Sequence, residues 1–362
     1  MDNHWTSTRH PASNNPHMSR LSLTTLATAT TVTVTGAAVA AVATAVAATG
    51  AAVLVVRALR SRRDWAGASN RGGIRPVVVV TGGSRGLGLA IAARFAQDPV
   101  RLVLASRNLE ELQQAQAHLL TRFAHLSPGD FHLVAADLAR PEECERLVAE
   151  TIARFGRIDV LVNNAGIIHV GPLESQTLEI FEHTMRVNFF AALYVTWAAL
   201  PHMRRQQALE GNSPGSRRAA IVNIASVGGK IAVPHMLPYS AAKFAMVGFS
   251  EGLHAELRHK GIRVTTVCPG LMRTGGEAHA NFRGNADAER RWFNLAARTP
   301  GVAVTTRHAA NRIYRAVAAG RAEITISPQA WLAARFGALC PELLQYANAL
   351  TNHHILPGNP KE

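Results

Sequence analysis

The sequence predicts an α/β fold in which helices cover both faces of a doubly wound parallel sheet. From residue 75 onward, short apolar runs rich in β-branched residues alternate with longer helical patterns. The runs are apolar at consecutive positions, as expected of strands buried on both faces. The first run, Val77–Val80, leads through a glycine-rich turn into a helix. Repeated alternation of this kind favours a parallel sheet.

These patterns predict the individual elements. The predicted strands are Val77–Val80, Leu102–Ala105, Phe131–Ala135, Ile158–Val162, Ala220–Ile224, Val264–Val267 and Glu323–Ile326. The clearest predicted helices are Gly86–Ala96, Leu109–Ala124, Pro141–Phe155 and Ser240–His259. The segment Arg205–Arg218, which contains Gly, Asn, Ser and Pro, is predicted to be a surface loop. An irregular stretch is predicted to follow Gly275 as far as Thr306.

Size and composition exclude several classes of protein. With 362 residues and 48% hydrophobic content, the chain can bury one large core, or one core plus an appendage. The net charge of +14 comes mostly from scattered arginines without interleaved aromatic residues, which argues against nucleic-acid binding. Cys144, Cys268 and Cys340 lie far apart and fit a reducing compartment better than a disulfide framework. Neither the cysteines nor the histidines have metal-ligand spacing, so we expect no metal.

The segment 21–56 contains no charged residue and consists almost wholly of Ala, Thr, Val and Leu. As a helix, Gly36–Val56 would span about 30 Å, the thickness of a bilayer's hydrocarbon core. An arginine cluster at 57–63 follows and would place the downstream domain in the cytoplasm. We therefore expect a membrane anchor with a cytoplasmic domain. Because Ala and Thr are only weakly apolar, a targeting peptide and a disordered leader are alternatives, and an unanchored chain would be cytoplasmic.

The chain thus divides into five parts. They are a polar N-terminal tail (1–20), the apolar segment (21–56), a basic linker (57–75), the α/β domain (76–327) and a C-terminal tail (328–362). The pattern of the last part predicts two short amphipathic helices that are separated at Pro341. This tail could contact a bilayer, an apolar substrate entrance or the surface of the domain itself.

A candidate phosphate-binding turn follows the first strand. It reads Thr81-Gly82-Gly83-Ser84-Arg85-Gly86-Leu87-Gly88. Glycine permits the tight turn and lets backbone N–H groups at a helix N-terminus approach a pyrophosphate. The spacing departs from the G-x-G-x-x-G pattern, but its place between the first strand and the first helix supports dinucleotide binding.

The end of the second strand indicates which dinucleotide is bound. No Asp or Glu stands where a carboxylate would hold a ribose 2′-hydroxyl, and the strand instead runs into Ser106 and Arg107. Arg107, joined by Arg85, could hold a 2′-phosphate, although Arg107 could also be a solvated arginine. We therefore expect NADP, with NAD the less favoured cofactor.

Further motifs match one known family in order and spacing. They are Thr81-Gly82 with Gly86 and Gly88, Asp137-Leu138, Asn163-Asn164-Ala165-Gly166, Asn188, Ser226, Tyr239 with Lys243, and Pro269-Gly270 with Thr274. From about Val77 to Ile326 the chain resembles the short-chain dehydrogenases/reductases, in the subgroup with TGxxxGxG and YxxxK motifs. The resemblance implies a Rossmann-type sheet. It also implies hydride transfer between a nicotinamide and a carbonyl or secondary alcohol.

The resemblance assigns catalysis to Asn188, Ser226, Tyr239 and Lys243. Tyr239 and Lys243 are four residues apart on a predicted helix and therefore share a face. A nearby ammonium and an oxidised nicotinamide should lower the tyrosine pKa from its ordinary value of about 10. By resemblance, Tyr239 exchanges a proton with the substrate oxygen, and Ser226 hydrogen-bonds that oxygen. Lys243 would also hold the nicotinamide ribose, and Asn188 would position a water that links Lys243 to solvent.

The resemblance also implies the residues that bind the cofactor. They are Thr81, Gly82, Ser84, Arg85, Gly86, Leu87, Gly88, Arg107, Asp137, Leu138, Asn164, Ala165, Gly166, Tyr239, Lys243, Pro269, Gly270 and Thr274. Among them, Asp137 would contact the adenine, Asn164 would line the cleft and Thr274 would hold the carboxamide.

By the same resemblance, a lid covers the substrate after Thr274, and Gly275-Gly276 would suit its hinge. Trp292 and Phe293 would either wall an apolar pocket or pack within the lid. An apolar anchor and an apolar tail together suggest a lipophilic substrate. We expect a small-molecule carbonyl or alcohol as substrate, and the resemblance allows a homo-oligomer.

Two other classes of function compete with an oxidoreductase. A non-catalytic NADP-binding redox sensor or scaffold would bind the cofactor without turnover, but the complete set of catalytic residue types argues against it. A dehydratase or epimerase on a related fold is disfavoured because the motifs match the reductases.

Overall fold

A computed structural model describes residues 74–210, 219–273, 280–298 and 303–358. The predicted anchor 21–56, nearly all of the linker 57–75, and the predicted hinge Gly275-Gly276 lie outside these residues. Thr274, for which a contact with the carboxamide is predicted, also lies outside them.

The described residues form strands and helices in alternation. The strands are β1 (Val77–Thr81), β2 (Arg101–Ser106), β3 (Phe131–Ala135), β4 (Val160–Asn163), β5 (His169–Val170), β6 (Ala220–Ile224), β7 (Arg263–Pro269), β8 (Met272–Arg273), β9 (Asn281–Phe282), β10 (Val304–Thr305) and β11 (Glu323–Ile326). The helices are α1 (Gly86–Phe95), α2 (Leu109–Arg122), α3 (Pro141–Phe155), α4 (Leu178–Met185), α5 (Ala191–Glu210), α6 (Leu237–Leu257), α7 (Ala286–Arg298), α8 (Thr306–Ala318), α9 (Pro328–Leu339) and α10 (Pro341–His354).

The predicted doubly wound parallel sheet is confirmed. Its strand order is β11-β7-β6-β4-β1-β2-β3, and every pairing within it is parallel. The chain runs outward from β1 through β2 to β3 and then continues with β4 on the other side of β1. This reversal opens a crevice at the carboxyl ends of β1 and β4, where ligands bind in sheets of this kind.

Strand β1 shows why the predicted runs are apolar at every position. Val78 and Val80 belong to the core on the side of α1, α2 and α8, where they pack with residues such as Ile91. Val77 and Val79 belong to the opposite core, on the side of α3 and α5. Successive side chains of a strand point to opposite faces. A strand covered by helices on both sides therefore needs an apolar residue at each position.

The predictions for two irregular segments were wrong. Residues 205–210 of the predicted loop 205–218 continue helix α5, and 211–218 lie outside the described residues. No Gly or Pro interrupts 205–210, and Gln206 accepts a hydrogen bond from the backbone N–H of Ile158. The stretch 275–306 contains helix α7 and two short strands. Helix α7 is rich in Ala and Arg, which favour helix.

The C-terminal tail forms the two predicted helices, α9 and α10, with the break before Pro341. The Asn348 side chain donates a hydrogen bond to the Ala232 carbonyl, so α10 contacts the loop after β6. Several large apolar side chains of the tail are exposed: Trp331, Leu332, Phe336, Leu339, Leu343, Tyr346 and Leu350. Within the described part of the chain, no helix combines the length and the apolarity that crossing a bilayer requires.

Candidate active site

A cleft of about 830 Å³ opens beyond the carboxyl ends of β1 to β4. Its lining includes many of the predicted cofactor residues: Gly82, Ser84, Arg85, Gly86, Leu87, Arg107, Asp137, Leu138, Asn164, Ala165 and Gly166. It also includes residues that the sequence analysis missed: Ser106, Asn108, Glu111, Ala136, Ala139, Ile167, Ile168, Val187, Ala280 and Asn281. The volume is that of a site for a sizeable organic ligand.

The glycine-rich turn has the conformation that its sequence predicts. Gly82 and Gly86 have φ angles of 63° and 56°, in the left-handed region that favours glycine. A Cβ at Gly88 would overlap the carbonyl oxygen of Gly82, so α1 could not approach the turn with a larger residue there. No side chain caps the start of α1 and no acidic residue stands in its first turn. Its backbone N–H groups can therefore bind a phosphate.

Asn164 connects the end of β4 to this turn. Its side-chain amide donates hydrogen bonds to the carbonyls of Thr81, at 3.0 Å, and Gly82, at 3.1 Å. In return, the Thr81 hydroxyl accepts from the backbone N–H groups of Asn164, at 2.9 Å, and Ala165, at 3.1 Å. These bonds hold the two strand ends at a fixed spacing and thereby define one side of the cleft.

The two arginines predicted to bind a 2′-phosphate differ in their surroundings. Arg107 is exposed and makes no ion pair within the described residues. Arg85 pairs with Glu111, with 3.0 Å between Nη1 and Oε1. The hydroxyl of Ser84 also donates to Glu111, at 2.9 Å from Oε2. The sequence analysis missed Glu111, although its position in the first turn of α2, beside the cleft, could have indicated it.

Ser226, Tyr239 and Lys243 lie together beyond the carboxyl end of β6. The Ser226 hydroxyl accepts a hydrogen bond from the Gly228 N–H at 3.0 Å, and a Cβ at Gly228 would lie 3.4 Å from Ser226 Oγ and 3.5 Å from Tyr239 Cε1. Lys243 is buried, its ammonium donates to the Ile224 carbonyl at 2.8 Å, and its Nζ lies 5.6 Å from the centre of the Tyr239 ring. The predicted shared face of Tyr239 and Lys243 on α6 is therefore observed.

Burial shifts the pKa values of both Lys243 and Tyr239. Burial lowers the pKa of Lys243 to about 8. Burial also raises the pKa of the Tyr239 phenol, and the hydrogen bond with Ser226 only partly opposes this. The lowering of the tyrosine pKa that was expected from Lys243 is therefore not seen in the chain alone, and the part expected from an oxidised nicotinamide stays a prediction. The reason is that loss of hydration disfavours the phenolate more than its neighbours stabilise it, while the Lys243 ammonium is bonded to a carbonyl.

Asn188 lies in a π-helical turn, Arg186–Phe190, which joins α4 to α5. Its side chain is fully buried and binds both backbone groups of Ile167: Oδ1 accepts at 2.7 Å and Nδ2 donates at 2.9 Å. A Cβ at Gly166 would lie 2.9 Å from Asn188 Oδ1 and 3.8 Å from Lys243 Nζ. Asn188 and Lys243 thus both lie close to the cleft residue Gly166.

Pro269 and Gly270 lie at the carboxyl end of β7 but do not line this cleft. The Gly270 N–H donates to the Ile326 carbonyl at 2.9 Å, and a Cβ at Gly270 would lie 2.6 Å from Ser327 Oγ. The structure therefore places this pair against the start of α9.

An apolar cluster covers the other side of Tyr239. Tyr239 packs against the cluster of Val170, Met236 and Phe293, and Trp292 packs against the same cluster. Helix α7 contacts the loop before α6 through a buried hydrogen-bonded pair. His235 of the loop and Glu289 of the helix are 2.6 Å apart, measured from Nδ1 to Oε1. The sequence analysis missed this pair because no motif connects residues that lie 54 positions apart.

Comparison with known proteins agrees with this architecture. The sequence profile of the short chain dehydrogenases matches residues 76–283. The chain belongs to this family. It is 33% identical over 274 residues to the 11-beta-hydroxysteroid dehydrogenase-like protein 4A of Arabidopsis thaliana, covering 74% of this chain and 82% of that protein. It is 32% identical over 275 residues to a dehydrogenase/reductase SDR family protein 7-like of Anopheles gambiae, covering 76% and 81% of the two chains.

A solved structure shows the same fold. The short-chain dehydrogenase from Streptomyces avermitilis superposes with a TM-score of 0.63 at 27% identity, covering 77% of this chain and 98% of that one. The present short-chain dehydrogenase is accordingly an oxidoreductase, and the cofactor of its family is a nicotinamide dinucleotide. Its left-handed glycines, uncapped helix start and cleft volume all fit such a group.

Replacing Lys243 by Met is expected to stabilise this short-chain dehydrogenase by about 1–3 kcal/mol at pH 7, since it removes a buried ammonium. The lysine pKa falls from 10.5 to about 8 on folding, so the unfolded chain binds more protons between these values. The stability of the wild type should therefore rise with pH across this window, and the advantage of the variant should shrink. Urea unfolding of both proteins at pH 7 and pH 9.5 measures this.

Lys260→Met is the matched control, because Lys260 is exposed at the end of the same helical segment. It should leave the free energy of unfolding nearly unchanged at both pH values. A Lys243→Met protein that is less stable than the wild type at pH 7 would contradict the assigned cost of burial.

Proposed function

We propose that this chain is an NADP(H)-dependent oxidoreductase that interconverts a carbonyl and a secondary alcohol. The observation that carries the proposal is the grouping of Ser226, Tyr239 and Lys243 beside a cleft that suits a dinucleotide. The link between the two is Gly166, which lines the cleft and lies next to Lys243. A nicotinamide bound there would supply or accept the hydride.

Tyr239 is proposed as the proton donor in reduction and the acceptor in oxidation. Burial raises the pKa of its phenol and so keeps the proton in place until a substrate oxygen takes it. Ser226, whose hydroxyl is oriented by the Gly228 N–H, would bind the same oxygen. When the phenol gives up its proton, the remaining charge lies near the Lys243 ammonium, which would also hold the nicotinamide ribose.

The proton lost by Tyr239 has to be replaced from solvent. Lys243 is suited to this transfer because its pKa, lowered to about 8, is close to neutral pH. Asn188, fixed by both backbone groups of Ile167, would position a water between Lys243 and solvent. In this proposal the π-helical turn serves to bring the Asn188 amide to the back of the cleft.

The residues that follow β2 support a preference for NADP(H) over NAD(H). Arg107 is exposed beside the cleft, has no ion-pair partner among the described residues and follows a strand without a terminal carboxylate. Guanidinium groups bind phosphate in a bidentate manner. Asp137, which lines the cleft, would contact the adenine.

A lipophilic substrate is supported by the apolar surroundings of Tyr239. The cluster around Phe293 lies against the phenol, and the tail that contacts the neighbouring loop exposes several large apolar side chains. A relative over most of the chain is named as 11-beta-hydroxysteroid dehydrogenase-like. We propose in addition that the apolar segment 21–56 anchors the protein in a membrane, with the catalytic domain on the cytoplasmic side, and that the enzyme is a homo-oligomer.

Tyr239→Phe should reduce turnover by a factor of roughly 10²–10⁴, because it removes the proton that the substrate oxygen needs. Oxidation of NADPH is followed by absorbance with steroids, retinoids, long-chain aldehydes and β-ketoacyl compounds. The affinity for NADPH should stay within about twofold, and the exposed Tyr346→Phe on α10 should behave as the wild type. Undiminished turnover by Tyr239→Phe would refute the proposed role, and cofactor binding without turnover by the wild type would favour a redox sensor or scaffold.

Arg107→Ala should weaken NADPH binding about 10–100-fold and leave NADH binding unchanged, because only NADPH carries the phosphate that the guanidinium would hold. Isothermal titration calorimetry measures both affinities. Arg315→Ala, an exposed arginine on α8 outside the cleft, is the control for a change of net charge. Tighter binding of NADH than of NADPH by the wild type would contradict the proposed preference.

Flotation with phospholipid vesicles tests the proposed membrane anchor. The full chain should float with the vesicles and the chain without residues 1–75 should not, because only the first contains the apolar segment. Equal flotation of both proteins would contradict anchoring through 21–56.

The proposed homo-oligomer is tested by light scattering of the shortened chain, which should give a multiple of its monomer mass. A monomer mass would contradict the oligomer.

A further inference from the structure

Glu111 brings a negative charge to the part of the cleft proposed for the 2′-phosphate. It lines the cleft together with Arg85 and Arg107. Its two carboxylate oxygens bind two residues of the phosphate-binding turn: Oε2 accepts from the Ser84 hydroxyl at 2.9 Å, and Oε1 accepts from Arg85 at 3.0 Å. The side-chain donors that Ser84 and Arg85 could offer to a phosphate are thus already engaged with a carboxylate.

Capping of α2 does not require this carboxylate. The Asn108 side chain accepts hydrogen bonds from the N–H groups of Glu110, at 2.9 Å, and Glu111, at 3.3 Å, and thereby caps the helix. The Arg85 and Glu111 side chains are 49% and 34% exposed, so water screens their ion pair. A pair of this kind is weak and can be exchanged for a stronger partner.

We propose that Glu111 is a specificity-determining residue that competes with the cofactor's 2′-phosphate for Arg85 and Ser84. This inference rests on the proposed NADP(H) preference. When a 2′-phosphate binds, Arg85 would turn from Glu111 to the phosphate, and the carboxylate is left close to a second anion. NADH carries a 2′-hydroxyl instead, so the Arg85–Glu111 pair stays intact. Glu111 therefore weakens the binding of NADPH but not of NADH, and so reduces the preference for NADPH over NADH that Arg107 provides.

The test compares Glu111→Gln with Glu110→Gln in the full chain. Both residues lie in the first turn of α2 and both variants lose one negative charge, but only Glu111 lines the cleft. The affinities for NADPH and NADH are measured by titration calorimetry at one fixed ionic strength. Glu111→Gln should tighten NADPH binding by a factor of about 3–20 and change NADH binding less than about twofold. Glu110→Gln should change both affinities less than about twofold.

A second pair of variants tests the competition for Arg85 directly. Arg85→Met should weaken NADPH binding less in the wild type, where the guanidinium has to leave Glu111 before it can bind the phosphate. In the Glu111→Gln background the same change should weaken it about tenfold or more, because Arg85 is then free to bind the phosphate. Non-additive effects of this sign support the proposal, and additive effects overturn it.

Three further results would overturn it. Weaker NADPH binding by Glu111→Gln would mean that Glu111 orients Arg85 for the phosphate. Weaker NADH binding would mean that the carboxylate holds the ribose hydroxyls, and an equal gain in Glu110→Gln would indicate a general charge effect. A wild type that prefers NADH contradicts the NADP(H) proposal separately, since the role of Glu111 is judged only from the change in NADPH affinity between matched variants.

Discussion

The cleft depends on how closely the ends of β1 and β4 are joined. Asn164 bonds to the carbonyls of Thr81 and Gly82, and the Thr81 hydroxyl accepts from the backbone that follows β4. These contacts require glycine at position 88, because a Cβ there would overlap the Gly82 carbonyl. The strand reversal at β1 provides the crevice, and this junction gives it a defined shape against which α1 presents its unpaired N–H groups.

Polar groups are buried at the site where the chemistry is proposed, at a cost to stability. Lys243 and Asn188 are buried; Lys243 donates to the carbonyl of Ile224, the last residue of β6, and Asn188 bonds to the backbone of Ile167 in the loop after β4. His235 and Glu289 form a buried pair on the other side of Tyr239, where His235 has a φ of 62° that non-glycine residues seldom adopt. Unfavourable burial and backbone strain of this kind persist where the surrounding structure enforces them, as at functional sites.

The parallel sheet could be predicted because each strand carries its own signal. A run such as Val77–Val80 must be buried on both faces, and the alternation with helices leaves few topologies open. Helix α7 and the end of α5 were missed for a different reason. Both have the composition of helices, but glycine and polar residues nearby gave a stronger signal for irregular structure. The leader lies outside the described residues, so its prediction as an anchor stays a prediction.

The sequence by itself determined the fold class, the family and the shared face of Tyr239 and Lys243, because ordered motifs and helical spacing are local properties of the chain. Only the tertiary structure decided which groups lie opposite one another across the cleft. It pairs Glu111 with Arg85 and His235 with Glu289. It also buries Tyr239 and Lys243, which raises the pKa of the first and lowers that of the second. Partners distant in sequence and the loss of hydration arise only when the chain is packed, and no local pattern records them.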